Sequence, residues 1–265
     1  MTDLTLNDGR SMPRLGAGTW QVPDAQAPQI VRLALDIGFR LIDTAAVYGN
    51  ERGVGDALRA SDAFVTTKLW NDRHGDAAAA LDESLALLGR DAVDLYLIHW
   101  PVPSAGRHVE TWRALIAARE AGKARSIGVS NFEPDHLEGL IEATGVTPAV
   151  NQIELHPYFQ QRELRAYHEA HGIVTQSWSP LGRGGALLRD PAITRIADRL
   201  GRSPAQIVLA WHLVNGLSVI PKASDREHLT DNFAALEVRL GPEEIAAIDA
   251  LDRADGRIGP HPRSG

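Results

Sequence analysis

"GFRLIDTAAVYGNE", residues 38–51, decides how the chain is read. The mostly apolar run Phe39 to Ile42 ends on an acid, Asp43; a phenol, Tyr48, follows five residues later, before a helix that opens at Asn50 and Glu51. A buried strand that finishes on a carboxylate needs a cation close by, because an unpaired buried charge is costly. The reading therefore turns on what the neighbouring strands end with.

Seven further strand candidates surround "RLIDTA" (40–45): "RLGAGTW" (14–20), "AFVTTKL" (63–69), "AVDLYLIHW" (92–100), "ARSIGVSN" (124–131), "PAVNQIEL" (148–155), "IVTQSWSP" (173–180) and "LSVIPKA" (217–223). Several lack a period of two, as parallel strands buried on both faces do. Helical stripes lie between them. Ile30, Leu33, Ala34 and Ile37 recur at i, i+3, i+4 and i+7; Leu81, Leu85 and Leu88 do the same before Gly89; "PDHLEGLIEATG" starts on proline and stops on glycine. Eight strands alternating with helices predict a single (β/α)8 TIM barrel over residues 1–265, with a doubly wound open sheet as the rival. "LTLNDGRSMPRL" predicts an N-terminal β-hairpin around Asn7-Asp8-Gly9 that caps the barrel bottom, and "GPEEIAAIDALD" (241–252) an extra helix.

Composition narrows the function. A formal charge of −7 argues against nucleic acid and polybasic membrane contact. No apolar run approaches the roughly 20 residues that span a bilayer. The polar opening "MTDLTLNDGRSMPRLG" lacks a signal-peptide core, so a cytoplasmic protein is expected. The absence of cysteine excludes disulfides, thiolate catalysis and cysteine-ligated metals, while ten histidines leave a metal site arithmetically open.

In a barrel, chemistry gathers at the C-terminal strand ends. Those ends carry Thr19-Trp20, Asp43, Lys68, His99-Trp100, Ser130-Asn131, Gln152 with Glu154, Trp178-Ser179 and Lys222. Lys68 is the expected partner of Asp43; held near Tyr48, it would lower the phenol's pKa and make it a general acid near neutrality. His99 would hold a carbonyl oxygen, and Trp20, Trp70 and Trp100 would line an apolar pocket. Each has a plainer reading: an ion pair at a strand end, a half-buried tyrosine, rim tryptophans, and Ser130-Asn131 as helix-entry donors. Their joint occurrence on consecutive strand ends favours a site.

The ordered motifs "GFRLIDTAAVYGNERGVGDAL", "KLW", "LIHWP", "GVSNF", "NQIELHPY", "SWSPLG" and "VIPKASDREHLTDN" resemble the aldo-keto reductase family along essentially the whole chain. The short ending "DRADGRIGPHPRSG" is similar to its compact bacterial branch, that of the 2,5-diketo-D-gluconate reductases. The resemblance implies metal-independent, reversible hydride transfer between NAD(P)H and an aldehyde or ketone. It implies Tyr48 as proton donor, Lys68 and Asp43 as its tuners and His99 as the group that orients the carbonyl. Trp20, Tyr48, Trp70, His99 and Trp100 would form the substrate pocket. For the coenzyme it implies Gly18, Thr19, Trp20 and Asp43; Ser130, Asn131 and Gln152 at the carboxamide; Trp178 against the nicotinamide; Ser179, Leu181 and Gly182 at the pyrophosphate; and Lys222, Ser224, His228, Asp231 and Asn232 at the adenosine end. The family binds its coenzyme without a Rossmann fingerprint, and "GAGTWQ" and "GRGGAL" both fail that pattern at the last glycine.

One departure concerns the coenzyme. Members that prefer NADPH usually carry Arg where His228 stands and Ser where Ala223 stands. A neutral imidazole offers one donor where guanidinium offers a charged fork, so NADPH is expected with NADH also used. Two other classes compete. One is a metal-dependent barrel hydrolase on His99, Glu154 and His156, although no H-E-x-x-H motif occurs and His168 and His171 read as a solvated helix face. The other is a non-catalytic regulator that binds the coenzyme. A small-molecule carbonyl substrate, no membrane or nucleic-acid partner, and a monomer complete the expectation.

Overall fold

The computed structural model describes residues 3–59 and 61–264; residues 1, 2, 60 and 265 of the expected 1–265 domain lie outside the described residues. A short antiparallel hairpin, β1 (Leu4–Thr5) and β2 (Ser11–Met12), comes first. Eight parallel strands follow in chain order: β3 (Ala17–Gly18), β4 (Leu41–Asp43), β5 (Phe64–Leu69), β6 (Val93–Ile98), β7 (Ala124–Ser130), β8 (Val150–Glu154), β9 (Val174–Trp178) and β10 (Ser218–Val219). Each pairs with its sequence neighbour. The ring closes where Leu15 pairs with Val219 and Gly18 with Lys222, which selects the (β/α)8 barrel over the open sheet.

Around the barrel lie α1 (Ala27–Ile37), α2 (Glu51–Leu58), α3 (Ala77–Leu88), α4 (His108–Glu120), α5 (Pro134–Thr144), α6 (Arg162–Ala170), α7 (Pro191–Leu200), α8 (Pro204–Val214), α9 (Arg226–Phe233) and α10 (Pro242–Asp249). The helix termini follow their residues: proline opens α5 and α10, and Gly89 ends α3 in the left-handed region at φ 63°. Leu6 and Met12 from the hairpin region are buried with Leu41, Leu95, Leu97, Ala149, Val150 and Ile220, so the hairpin closes the barrel interior from below. The strands' outer faces pack Ile42, Val65, Tyr96, Ile98, Ile127 and Val129 against the helices in a separate cluster.

One expectation fails here. His168 is not on a solvated face: it is fully buried, its Nδ1 2.8 Å from Thr175 Oγ1 and its Nε2 2.9 Å from Asn151 Nδ2. Burial lowers its pKa to about 3, so it stands as a neutral core histidine joining α6 to β8 and β9. His171, three residues on, is the exposed member of the pair.

Candidate active site

At the end of the barrel opposite the hairpin, Asp43 closes β4 with its side chain buried. Lys68, in β5, is also fully buried, and its ammonium reaches three oxygens: Asp43 Oδ1 at 2.6 Å, the Thr44 carbonyl at 2.9 Å and the Tyr48 hydroxyl at 3.3 Å. The second Asp43 oxygen accepts from Gln152 Nε2 at 2.7 Å. Gln152 also donates to Gln176 Oε1 at 2.7 Å, and Gln176 in turn donates to Ser218 Oγ at 3.0 Å. The carboxylate–ammonium pair is thus satisfied on both sides, as burial requires.

Tyr48 ends a single 3-10 turn, Ala46–Tyr48. Asn50 secures that turn rather than capping α2 with its side chain. Its carbonyl accepts from Thr44 Oγ1 at 2.7 Å, and its amide donates to the carbonyls of Thr19 and Val22, both at 2.9 Å. Glu51, at the start of α2, is buried on Thr67 Oγ1 at 2.5 Å and Ser84 Oγ at 3.1 Å. The tyrosine therefore stands on a loop tied to three strand ends.

The electrostatics correct one expectation. Burial raises the Tyr48 pKa, and the opposing Lys68 charge does not bring it below the ordinary phenol value. Before substrate enters, the phenol is firmly protonated, a donor in waiting rather than a half-ionised acid. Burial pushes Asp43 up, with Lys68 and Gln152 opposing. Burial works against the Lys68 ammonium too, but the Asp43 carboxylate prevails and holds lysine above its ordinary range. His99 is driven well below its ordinary value, first by burial and then by the Lys68 charge, and is a neutral imidazole.

These groups open on a cavity of about 460 Å³ lined by Trp20, Trp70, Trp100 and Trp178 together with Asp43, Tyr48, His99, Asn131, Gln152 and Lys222. The His99 ring meets Trp70 edge-on at 5.0 Å and Tyr48 at 5.9 Å, and its Nδ1 is buried without a partner. Trp178 is fixed as a flat wall: its indole N–H donates to Asn131 Oδ1 at 2.8 Å. Asn131 is held in turn by bonds to the His99 carbonyl and Ser130 Oγ, each at 3.0 Å, and Ser130 donates to the Gln152 carbonyl at 2.7 Å. Gln21, Asn131, Ser179 and Arg183, all non-glycine residues with φ between 48° and 64°, line this cavity. Backbone strain of this kind concentrates where geometry serves a ligand.

Of the residues expected at a coenzyme, Gly18, Trp20, Asp43, Asn131, Gln152, Trp178, Ser179 and Lys222 line the cavity. Thr19 and Ser130 lie just behind its wall, Thr19 donating to the Asp43 carbonyl at 3.0 Å. Leu181 and Gly182 are half-buried in the loop after β9, outside the lining. Ser224, His228, Asp231 and Asn232 are outside it as well. Asp231 accepts from Ser203 Oγ at 2.6 Å and Gln206 Nε2 at 2.7 Å, and Asn232 is buried. His228 has a carboxylate partner that favours its charged form. Its Nδ1 lies 2.7 Å from Asp225 Oδ2, and that bond and charge raise its pKa.

The fit to a nicotinamide coenzyme rests on this donor set: a flat indole wall, side-chain amides on the floor, and the Lys222 cation at the rim. Sequence reasoning missed Gln21, Val47, Ile220 and Pro260 in the lining and Gln176 behind it. Gln176 left a signal, a polar residue inside a buried strand; Pro260 left none. A metal reading finds little support. Among the described residues, the one group of His, Asp and Glu close enough to share an ion is Glu133, Asp135 and His136, and the Arg263 guanidinium already bridges Glu133 and Asp135.

The aldo/keto reductase family profile matches residues 12–253. An aldo-keto reductase of Mycolicibacterium smegmatis is 49% identical, over 98% of this chain and 97% of its own. The methylglyoxal reductase DkgA of Escherichia coli is 47% identical over the same shares. Among solved structures, Gox0644 in its apo form superposes with a TM-score of 0.97 at 48% identity, covering 100% of this chain and 98% of that one. An aspartate-to-alanine mutant of Gox0644 in complex with NADPH gives 0.98 at 47% identity over the same shares. The strand-end site, the barrel that carries it and these likenesses together establish that the chain belongs to the aldo/keto reductase family.

Proposed function

We propose that the protein reduces aldehydes and ketones to alcohols with NADPH, and that Tyr48 is the proton donor. The observation that carries this reading is the Lys68 ammonium, shared between Asp43 at 2.6 Å and the Tyr48 hydroxyl at 3.3 Å on the wall of the cavity. Bound NADPH supplies the hydride to the carbonyl carbon. Trp178, braced by Asn131, gives a flat surface for the nicotinamide, while Asn131 and Gln152 line the floor beside it. The carbonyl oxygen lies between His99 and Tyr48, and as negative charge develops on it Tyr48 transfers its hydroxyl proton there. Lys68 then stabilises the phenolate left behind, and Asp43 keeps the lysine charged. Neutral His99 adds orientation without placing a second cation near Lys68.

The tryptophan lining favours small or flat apolar carbonyl compounds, with Arg183 stacked 5.5 Å over Trp20 at the rim as an anchor for a carboxylate. The name of the Escherichia coli relative makes methylglyoxal the first substrate to try. Residues 1–265 are read as one domain. No helix among the described residues is long and apolar enough to cross a membrane. A monomer fits a pattern in which two of the five exposed large apolar side chains among the described residues, Trp20 and Val47, belong to the cavity; light scattering tests the monomer, and a cytoplasmic location is proposed with it.

The decisive experiment is Tyr48→Phe. NADPH binding, followed by quenching of tryptophan fluorescence, should stay within about twofold, and kcat for methylglyoxal should fall at least about a hundredfold. Unchanged turnover would remove Tyr48 from its role. Wild-type protein that binds NADPH but reduces none of a broad carbonyl panel would favour a regulator.

A further inference from the structure

Two buried groups at the strand ends have no part in this chemistry. Glu154 ends β8, and His156 follows it; each is 1% exposed. The donors that satisfy the Glu154 carboxylate come from far along the chain. Oε1 accepts the backbone N–H of Ile258 at 2.6 Å and Oε2 that of Gly259 at 2.7 Å, with His156 Nε2 3.2 Å from Oε1. Burial works to raise the Glu154 pKa, but His156 and the two N–H groups prevail and hold it low, so it receives them as a carboxylate.

The segment these bonds hold, residues 253–264, contains a turn at 254–255, closed by the Gly256 N–H on the Arg253 carbonyl at 3.2 Å, and the short 3-10 turn Pro262–Ser264, but no strand ladder of its own. It is fastened along its length. The Arg253 and Arg257 guanidinium groups lie 3.9 Å and 4.5 Å over the rings of Tyr158 and Phe159, and Arg263 binds Glu133 at 2.5 Å and Asp135 at 2.8 Å. Between these anchors the chain meets the active site. A Cβ at Gly259 would sit 2.5 Å from the Trp178 indole and 2.7 Å from Glu154 Oε2, and Pro260 lines the cavity itself. Only glycine lets the backbone lie against both groups at once.

We infer that Glu154 is a positioning residue: its carboxylate latches residues 258–260 against Trp178, makes Pro260 a wall of the cavity, and so sets which carbonyl compounds fit. This rests on reading the cavity as a site of carbonyl reduction. It also assigns a role to the Glu154–His156 pair other than metal ligation.

The test compares wild type, Glu154→Gln and Gly259→Ala. Glu154→Gln keeps the shape but offers one acceptor oxygen in place of two. Gly259→Ala leaves the carboxylate intact and forces the segment away. In both, exchange of the two latched backbone amides, at positions 258 and 259, should accelerate by about a hundredfold. The ratio of kcat/KM for a bulky aromatic aldehyde over methylglyoxal should rise about tenfold, through KM for the bulky substrate. The NADPH dissociation constant should stay within about twofold. If Glu154→Gln fails to fold, Gly259→Ala with the carboxylate in place decides. Exchange as slow as in wild type overturns the latch. Fast exchange with an unmoved substrate ratio overturns its role in selectivity. A changed NADPH affinity with an unmoved ratio makes the segment a coenzyme cover and overturns the proposal. If wild type reduces neither compound, it is the reduction reading that has failed, and the selectivity claim goes with it.

Discussion

Replacing Lys68 by methionine asks the most of the structure. The ammonium stands 2.6 Å from Asp43, a gross attraction of about 6 kcal/mol at an effective dielectric of 20. Much of that offsets the desolvation of two fully buried groups, so the net loss is better taken from buried pairs broken on one side, about 3–5 kcal/mol. Lys68→Met leaves Asp43 with the single Gln152 donor. The cheapest escape is for the buried carboxyl to take a proton in the folded state at a pH where the unfolded chain, with an ordinary value near 3.8, has already lost it. The folded variant then binds more protons than the unfolded one. Its stability deficit relative to wild type should widen as pH rises, by about 1.4 kcal/mol per unit between pH 6 and 8. Urea unfolding at several pH values measures this. The double variant Asp43→Asn with Lys68→Met should recover most of the stability and none of the turnover, since Tyr48 has still lost its cation. A deficit independent of pH, or a double variant no more stable than the single, would refute the account of the pair.

Other outcomes follow from other sites. Burial raises the Glu51 pKa above its ordinary 4.5, so its stabilising contribution is lost as pH rises; Glu51→Gln should gain in melting temperature relative to wild type between pH 5 and 8. His168 and His212 are held near 3 against an ordinary 6.5, so both must charge on acid unfolding; these two together should cost up to about 2.7 kcal/mol per unit below pH 6, with buried His99 adding to the slope, and His168→Gln should remove about 1.4 kcal/mol per unit in acid titrations followed by circular dichroism. His228→Arg should raise the NADPH-over-NADH ratio of kcat/KM about tenfold. Because the Asp225 partner raises the His228 pKa, the wild-type ratio should decline as pH rises, while that of His228→Arg stays flat.

Much of this architecture was legible in the residues. All eight strands were readable because each is an apolar run ending on a polar group, and Asp43, Lys68, His99 and Gln152 stood out as costly residues in such positions. The strands at the seam are shorter than their apolar runs suggest: "RLGAGTW" contributes a ladder of two residues, Ala17–Gly18, because its remaining pairing is the ring closure, which local pattern does not reveal. Proximity was readable but its energetic outcome was not. The spacing put Lys68 near Tyr48, yet the depth of burial that outweighs the lysine is a property of the assembled pocket. His168 was misplaced for the same reason: its helix looks polar, and only Asn151 and Thr175, brought in by β8 and β9, make its site a buried one. Pro260 was out of reach, since it joins the cavity through a carboxylate about a hundred positions away.

The seam where Gly18 meets Lys222 also bears on how the protein is made. Translation at about 5–20 residues per second leaves roughly ten to forty seconds between the synthesis of those two residues. In that interval the first strand has an unpaired edge, and Asp43 and Lys68 can meet while water still reaches them. The ion pair can thus form while hydrated and be dried only when the last strand arrives. The costly step of burying two charges is deferred to ring closure, when they are already neutralising each other. A nascent chain lacking that strand would hold the paired charges and the tyrosine but no enclosed pocket, so reductase activity should appear on the ribosome only after residue 222 has cleared the exit tunnel.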